Sequence, residues 1–267
     1  VDVLFHASVC RVSKNTDTLT GVDIQSCSQQ LSSKAKFFID ATGEGDLCVL
    51  AGADFMQGDP EGRRVLHMSL TSWMYNTGKP QKPYLPKGLK PITSEEELPG
   101  LGSGFLVDDN RVFMNATKVM EHDPTEPFSL SDAEHEARRQ LARIVHYIQT
   151  HHFPTYALAS SGAKIGIREG RRIIGEHVLT QDQVLDRTTP LDFHDGITVA
   201  TSQIDFHSLT QPGASGWRQK LAPYSIPLRC LVPKGLANIL VAGKCISTDQ
   251  IVHSSCRMTP TCCAMGQ

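Results

Sequence analysis

Apolar and polar residues alternate at the start of the chain. Val3, Phe5, Ala7 and Val9 fall at every second position, the period of a strand covered on one side. The pattern predicts a strand from Val1 to Arg11, a polar turn at Lys14-Asn15-Thr16-Asp17, and further strands at Thr20 to Ile24 and Lys36 to Asp40, together a three-stranded meander. The last strand runs into Ala41-Thr42-Gly43-Glu44-Gly45-Asp46 and then into the apolar Leu47-Cys48-Val49-Leu50-Ala51-Gly52. A strand, a tight turn and a short helix are predicted there. α/β folds use that arrangement to bring backbone N–H groups against a nucleotide or phosphate, and it also serves as a plain strand-to-helix turn.

The pattern then loosens. Met68, Leu70, Trp73 and Tyr75 suggest a strand or two, but Lys79-Pro80 to Gly104 is rich in Pro and Gly and carries Glu95-Glu96-Glu97. Residues 53 to 130 therefore read as a loop-rich excursion, a surface insertion or lid. A helix is predicted over 131–150, with Ser131 and Glu134 as a capping box and Leu141, Ile144, Val145 and Ile148 on one face. Arg138, Arg139 and Arg143 take the solvated face. Strand-like residues fill Ala163 to Leu179, and Thr180 with Gln183 forms a second capping box ahead of a short helix. Asp205-Phe206-His207 sets a carboxylate and an imidazole two apart, on one side of a strand. Ile226 to Val232 and Ala237 to Ala242 read as strands joined at Pro233-Lys234-Gly235, before a closing helix, Cys262 to Gln267, opened by Pro260-Thr261.

Composition narrows the class. The 267 residues, 40% hydrophobic and 20% charged with net charge −2, fit a globular chain with one large core or two smaller ones. No basic surface argues for nucleic acid, and no apolar run is long enough to span a bilayer. Eight cysteines are many for this length, but their spacing is irregular and includes no C-x-x-C, so they read as small buried thiols rather than metal ligands or disulfides. Thiol-rich composition leans toward a reducing, cytoplasmic compartment. His146, His151 and His152 lie at a helix end favoured by cations, with no ligand spacing for a metal.

Four blocks in fixed order carry a resemblance. They are Asp40-Ala41-Thr42-Gly43-Glu44-Gly45-Asp46; Gly166-Ile167-Arg168-Glu169-Gly170-Arg171-Arg172-Ile173-Ile174-Gly175-Glu176; Leu240-Val241-Ala242-Gly243-Lys244-Cys245-Ile246-Ser247; and Arg257-Met258-Thr259-Pro260-Thr261-Cys262-Cys263-Ala264-Met265-Gly266-Gln267. With Ile226 to Gly235 just ahead of the third, the chain resembles the FAD-dependent oxidoreductases of the glutathione reductase type. The resemblance implies a mixed α/β fold with an FAD/NAD(P)-binding Rossmann-like domain, discontinuous over 1–55 and 226–267, and an inserted substrate-side region over 56–225. No G-x-G-x-x-G is present. In the family that turn lies upstream of the position matching Val1, so a fragment lacking its first βαβ unit is expected.

The implied cofactor is FAD. The resemblance sets the backbone of Val9 beside the adenine, and Ala41, Thr42, Gly43, Gly45 and Asp46 at the adenosine-pyrophosphate side. Gly243, Lys244 and Cys245 fall at the ribityl-pyrophosphate, with Lys244 standing where the family commonly has Arg. Met258, Thr259, Pro260 and Thr261 are expected against the flavin, at a proline-led helix start that favours negative charge. Arg168, His207, His253 and Arg257 are the catalytic candidates, as anion binders or proton carriers, and each is equally able to play a structural part. The implied reaction is hydride transfer between a small organic substrate and flavin N5. The alternatives are a flavoprotein fold without redox activity, serving as a binding or assembly module, and a metal-dependent hydrolase, for which no ligand pattern exists.

Overall fold

The computed structural model of the chain describes residues 2–62, 64–100, 104–211, 213 and 216–267. Val1, the expected start of the first strand, and residues 101–103 of the Pro- and Gly-rich stretch lie outside the described residues. In chain order, β1 (Ala7–Asn15), β2 (Thr18–Ser26), β3 (Gln29–Ser33) and β4 (Phe38–Asp40) lead to α1 (Asp46–Leu50) and β5 (Phe55–Gln57). Next come β6 (Ser72–Asn76), β7 (Gly104–Asp108), β8 (Arg111–Met114), the long helix α2 (Pro127–His151) and β9 (Tyr156–Ser161). The order ends with β10 (Arg171–Ile173), α3 (Gln181–Val184), β11 (Gly196–Ala200), β12 (Ile204–His207), β13 (Gly216–Gln219), β14 (Tyr224–Pro227), β15 (Ile239–Val241), α4 (Gln250–Cys256) and α5 (Thr259–Gly266). The fold is mixed α/β.

Two compact units divide the chain. The first gathers Val1–Arg63, Gly170–Phe206 and Arg218–Gln267; the second holds Arg64–Glu169 and His207–Trp217. The resemblance implies a single insertion over 56–225. Within that span, β10 pairs with β5 and β11 with β14, and these pairings build residues 170–206 into the first unit.

In the first unit β1, β2 and β3 form an antiparallel meander. Its third strand is Gln29–Ser33, a correction to the expected Lys36–Asp40. Gln29-Gln30-Leu31-Ser32-Ser33 is exposed throughout and held by backbone pairing to β2, so the apolar pattern carries no trace of it. The expected strand from Val1 also starts later. Val3 and Phe5 are 66% and 74% exposed, and His6 at φ 54° breaks the extended run before β1. β4 instead pairs in parallel with β15, Phe38 opposite Ile239 and Asp40 opposite Val241. Buried Asn238 ties both to the meander: its side chain accepts from Leu19 N at 2.8 Å and donates to the carbonyls of Leu19 and Lys36 at 2.8 and 2.9 Å. Leu19, Val22, Leu47, Ile173, Ile226, Val241 and Val252 fill the core around them. The capping box of Thr180 and Gln183 forms as expected at the start of α3.

The second unit is a four-stranded sheet in the order β7-β8-β6-β9, with α2 packed on it. The expected lid thus has a core of its own, where Ala133, Ala137 and Leu141 meet Met68, Met74, Val112 and Met114. Helix α2 begins four residues before the predicted start. Pro127 occupies its first turn, and the Glu126 side chain caps it by accepting from Phe128 N and Ser129 N at 3.1 and 2.5 Å. The Ser131–Glu134 capping box is therefore not formed: Ser131 donates to the Pro127 carbonyl inside the helix, and Glu134 pairs with Arg138 and accepts from Ile165 N.

The predicted strand from Ile226 to Val232 is cut short. β14 ends at Pro227, and Leu228–Cys230 is a single turn of 3₁₀ helix. Asp195 holds this turn: its carboxylate accepts from Arg229 Nε at 2.9 Å and Nη2 at 3.3 Å, and from Arg229 N at 3.3 Å. The side-chain hydrogen bonds from Arg229 hold the Asp195 carboxyl down at about 2, against an ordinary 3.8. A depressed carboxyl stabilises the fold fully above its ordinary value and loses that contribution as the pH falls through the folded value. Arg229→Gln should therefore lower the urea midpoint at neutral pH. The gap from the parent should close as the pH falls from 3.8 to about 2, and urea titrations across that interval measure it.

Candidate functional site

Asp40 builds the turn after β4. Its carboxylate is 1% exposed and accepts from Thr42 N at 3.0 Å, Thr42 Oγ1 at 2.7 Å and Cys48 N at 2.8 Å. Thr42 Oγ1 in turn accepts from Asp46 N at 2.9 Å. The loop closes on itself and delivers the chain into α1. Two of its residues must be glycine: Gly43 at φ 87° and Gly45 at φ 68° sit where other side chains strain the backbone. A Cβ on Gly45 would also lie 2.6 Å from Ile173 Cδ1.

The parallel pairing of β4 with β15 brings the 243–245 segment alongside this turn. Lys244 Nζ donates to the Gly43 carbonyl at 2.9 Å and forms an ion pair with Glu44. Glu44 is largely buried, and burial raises its carboxyl above the ordinary range even against the Lys244 cation. Its carboxylate lies against the backbone of Gly170, where any Cβ would overlap it. Arg171 donates to Asp46 Oδ1 at 2.8 Å and stands over the Phe55 ring at 5.5 Å from its centre. Around Gly243, at φ 101°, no described residue other than its chain neighbours comes within 4 Å of where its Cβ would be. Thus Ala41, Thr42, Gly43, Gly45, Asp46, Gly243, Lys244 and Cys245, from opposite ends of the sequence, share one corner of the first unit. Glu44 and Arg171 complete it, through Lys244 and Asp46. Val9 is half-buried in β1, opposite Ile24.

Helices α4 and α5 follow. Met258 caps α5 with no side-chain bond, Thr259 begins it two residues ahead of Thr261, and Pro260 sits in its first turn. Thr259 and Pro260 are exposed, whereas Thr261 is buried. His253 is fully buried in α4. Arg257 is held by Asp205, whose carboxylate also accepts from Arg218 Nε at 3.1 Å. Burial pushes the Cys245 thiol up to about 12, which removes thiolate chemistry there at neutral pH. Cys48, Cys230 and Cys256 are also buried with raised thiols, while Cys10, Cys27 and Cys263 are exposed, a correction for those three to the reading of buried thiols. Among the described residues no group of three or more His, Cys, Asp or Glu side chains is placed to hold a metal, and no helix is long and apolar enough to cross a membrane.

The other two catalytic candidates, Arg168 and His207, belong to the second unit. Arg168 Nη1 donates to the His67 carbonyl at 3.1 Å and to Ser69 Oγ at 2.8 Å. The rings of His67 and His207 meet edge-on, 4.6 Å between centres. Asp205 and His207 lie two apart in β12, as the sequence expects; the Asp205 carboxylate binds Arg218 and Arg257, and the His207 ring meets His67.

A family model described as FAD dependent oxidoreductase matches residues 1–267. No curated protein matches the chain. Among solved structures, CabE, an aromatic hydroxylase from angucycline biosynthesis, is 10% identical with a TM-score of 0.34, and OxyS anhydrotetracycline hydroxylase from Streptomyces rimosus is 13% identical with a TM-score of 0.28. In both, 64% of this chain is covered, and it spans 30% of the other protein.

Filling the two close approaches at the corner tests how firmly it is built. Gly45→Ala meets Ile173 in a left-handed backbone position and should cost about 1–3 kcal/mol of stability, the range for overpacking a tight site. The double variant with Ile173→Val should recover part of the loss. Gly170→Ala should displace Glu44 and destabilise similarly, with urea denaturation as the readout for all three.

Proposed function

The chain belongs to the FAD-dependent oxidoreductase family, and from that premise we propose that the corner of the first unit is part of an FAD site in a hydride-transferring enzyme. The observation that carries the proposal is the meeting of the 40–46 and 243–245 loops, joined through Lys244 and the Gly43 carbonyl at 2.9 Å. We read the β4–β15 pair as a portion of a Rossmann-like sheet, since parallel strands ending in glycine turns are the usual seat of a dinucleotide. The donor set suits such a cofactor. Gly243 leaves its backbone open to close approach, and Lys244 supplies a cation to a pyrophosphate.

The other residues take roles from their positions. Thr42, Gly43, Gly45 and Asp46 would line the adenosine side, with the backbone of Val9 as a further contact. Met258, Thr259, Pro260 and Thr261 would set the start of α5, whose dipole favours negative charge, toward the isoalloxazine. The chemistry FAD supplies when bound is exchange of a hydride at N5 with a carbon of a small organic substrate. Arg257, fixed by Asp205, and His253, enclosed in α4, act by holding this framework. Arg168 and His207 remain candidates for direct work on the substrate.

Lys244 has a competitor at the site. Glu44 already neutralises much of its charge, so the two residues should affect cofactor affinity in opposite directions. Lys244→Gln should weaken FAD binding about tenfold, or roughly 1.4 kcal/mol. Glu44→Gln should strengthen it, and ultrafiltration against free FAD measures both. The first check is a visible spectrum of the purified protein and chromatography of what it releases on heating. Bound FAD is expected; a colourless protein that takes up no added FAD would overturn the proposal in favour of a binding module on the same fold.

A further inference from the structure

A short ladder in the second unit sorts its side chains by charge. Met68 and Val119 bridge in antiparallel fashion, their N–H and C=O groups paired at 2.9 Å each way, and Ser69 bridges Gly166 in the same way. Side chains alternate across such a ladder. One face therefore carries Met68, Leu70, Val119, Ile165 and Ile167, all packed into the core. The other carries His67, Ser69, Lys118 and Arg168. Glu169 falls by the same alternation on the first side, where it accepts from Leu66 N at 2.7 Å.

Lys118 is the unusual member. It is 4% exposed, and its backbone is pinned to α2 by the Gln140 amide, which accepts from Lys118 N and donates to the Lys118 carbonyl. Its Nζ donates to the carbonyls of Gln211 and Gly213 at 2.6 and 3.1 Å, using two of three hydrogens. Among the described residues no carboxylate pairs with it. Burial, and after it the Arg168 cation, holds its ammonium below the ordinary value. A buried ammonium near a second cation costs stability unless something negative answers it. His67, 5% exposed, lies on the same face, and its ring meets that of His207 edge-on.

We propose that Lys118 and Arg168, flanked by His67 and His207, form a binding site for the oxyanion of a small molecule, a carboxylate or a phosphate. The site deepens the preceding proposal by giving its substrate an anionic group, and rests on it for the claim that the ligand is the substrate. Two cations on one face, one tied to carbonyls with a hydrogen to spare, complement the two oxygens of such a group.

Calorimetric titration of the purified full chain with benzoate and, separately, inorganic phosphate tests the site without reference to turnover. Saturable binding of one of them is expected, at least tenfold weaker in Lys118→Met and in Arg168→Gln. The better binder identifies which oxyanion the site takes. If Lys118→Met fails to fold by circular dichroism, Arg168→Gln and His207→Gln carry the comparison. Absence of saturable binding to the parent, or affinity unchanged in every folded variant, overturns the proposal and leaves Lys118 as an anchor for the carbonyls of Gln211 and Gly213 alone. FAD content is read separately by absorbance, so failure of one proposal does not disguise failure of the other.

Discussion

The carboxylate of Asp40 is the constraint on which the first unit is organised. Buried with no cation paired to it among the described residues, it is satisfied by Thr42 N, Thr42 Oγ1 and Cys48 N, donors that exist only when the turn is closed and α1 has begun. The same residue's carbonyl accepts from Ala242 N at 2.9 Å and continues the pairing with β15. One side chain and one carbonyl thus fix the turn, the helix and the neighbouring strand. Removing any donor would leave a buried charge exposed to its own desolvation cost, which makes the arrangement cooperative. Gly43, Gly45 and Lys244 are where they are because of it.

Much of this corner was legible in the sequence because its information is local. An apolar strand, two glycines and an apolar run specify the turn around 40–46, and the Thr180–Gln183 cap needed only a spacing of three. What escaped was non-local or written in the backbone. β3 has no apolar face to read, and its existence depends on β2. The Ser131–Glu134 pattern is a capping signal overridden by Glu126 and Pro127, which start the helix one turn earlier. Residues 170–206 join the first unit because β10 pairs with β5, far back in the sequence, and β11 with the nearer β14.

Lys118 shows the same limit for sites. Lys118-Val119, His67-Met68-Ser69 and Ile167-Arg168 each alternate in plain view, yet nothing short of the bridges at Met68–Val119 and Ser69–Gly166 sets their polar members on one face. Asp205 and His207 do share one strand at the spacing the sequence shows, but Arg218 and Arg257 against Asp205 and the His67 ring against His207 come from elsewhere in the chain and leave no local mark. Arg257 and His253 have chemistry suited to a catalytic part, and the structure sets one against Asp205 and encloses the other.

Asn238 links Leu19 and Lys36 to the approach of β15 across 219 and 202 residues of sequence. On a ribosome adding about 5–20 residues per second, β4 would wait roughly 10–40 s for the strand that pairs with it. The second unit, with only its short return segment arriving later, has most of its chain available to fold during that interval. Meanwhile β4 keeps an unpaired edge and uncovered apolar side chains, the features that invite wrong association. Synthesis order therefore makes the closing of the first unit a late event, one that chaperone supply and growth temperature can govern independently of how stable the finished protein is.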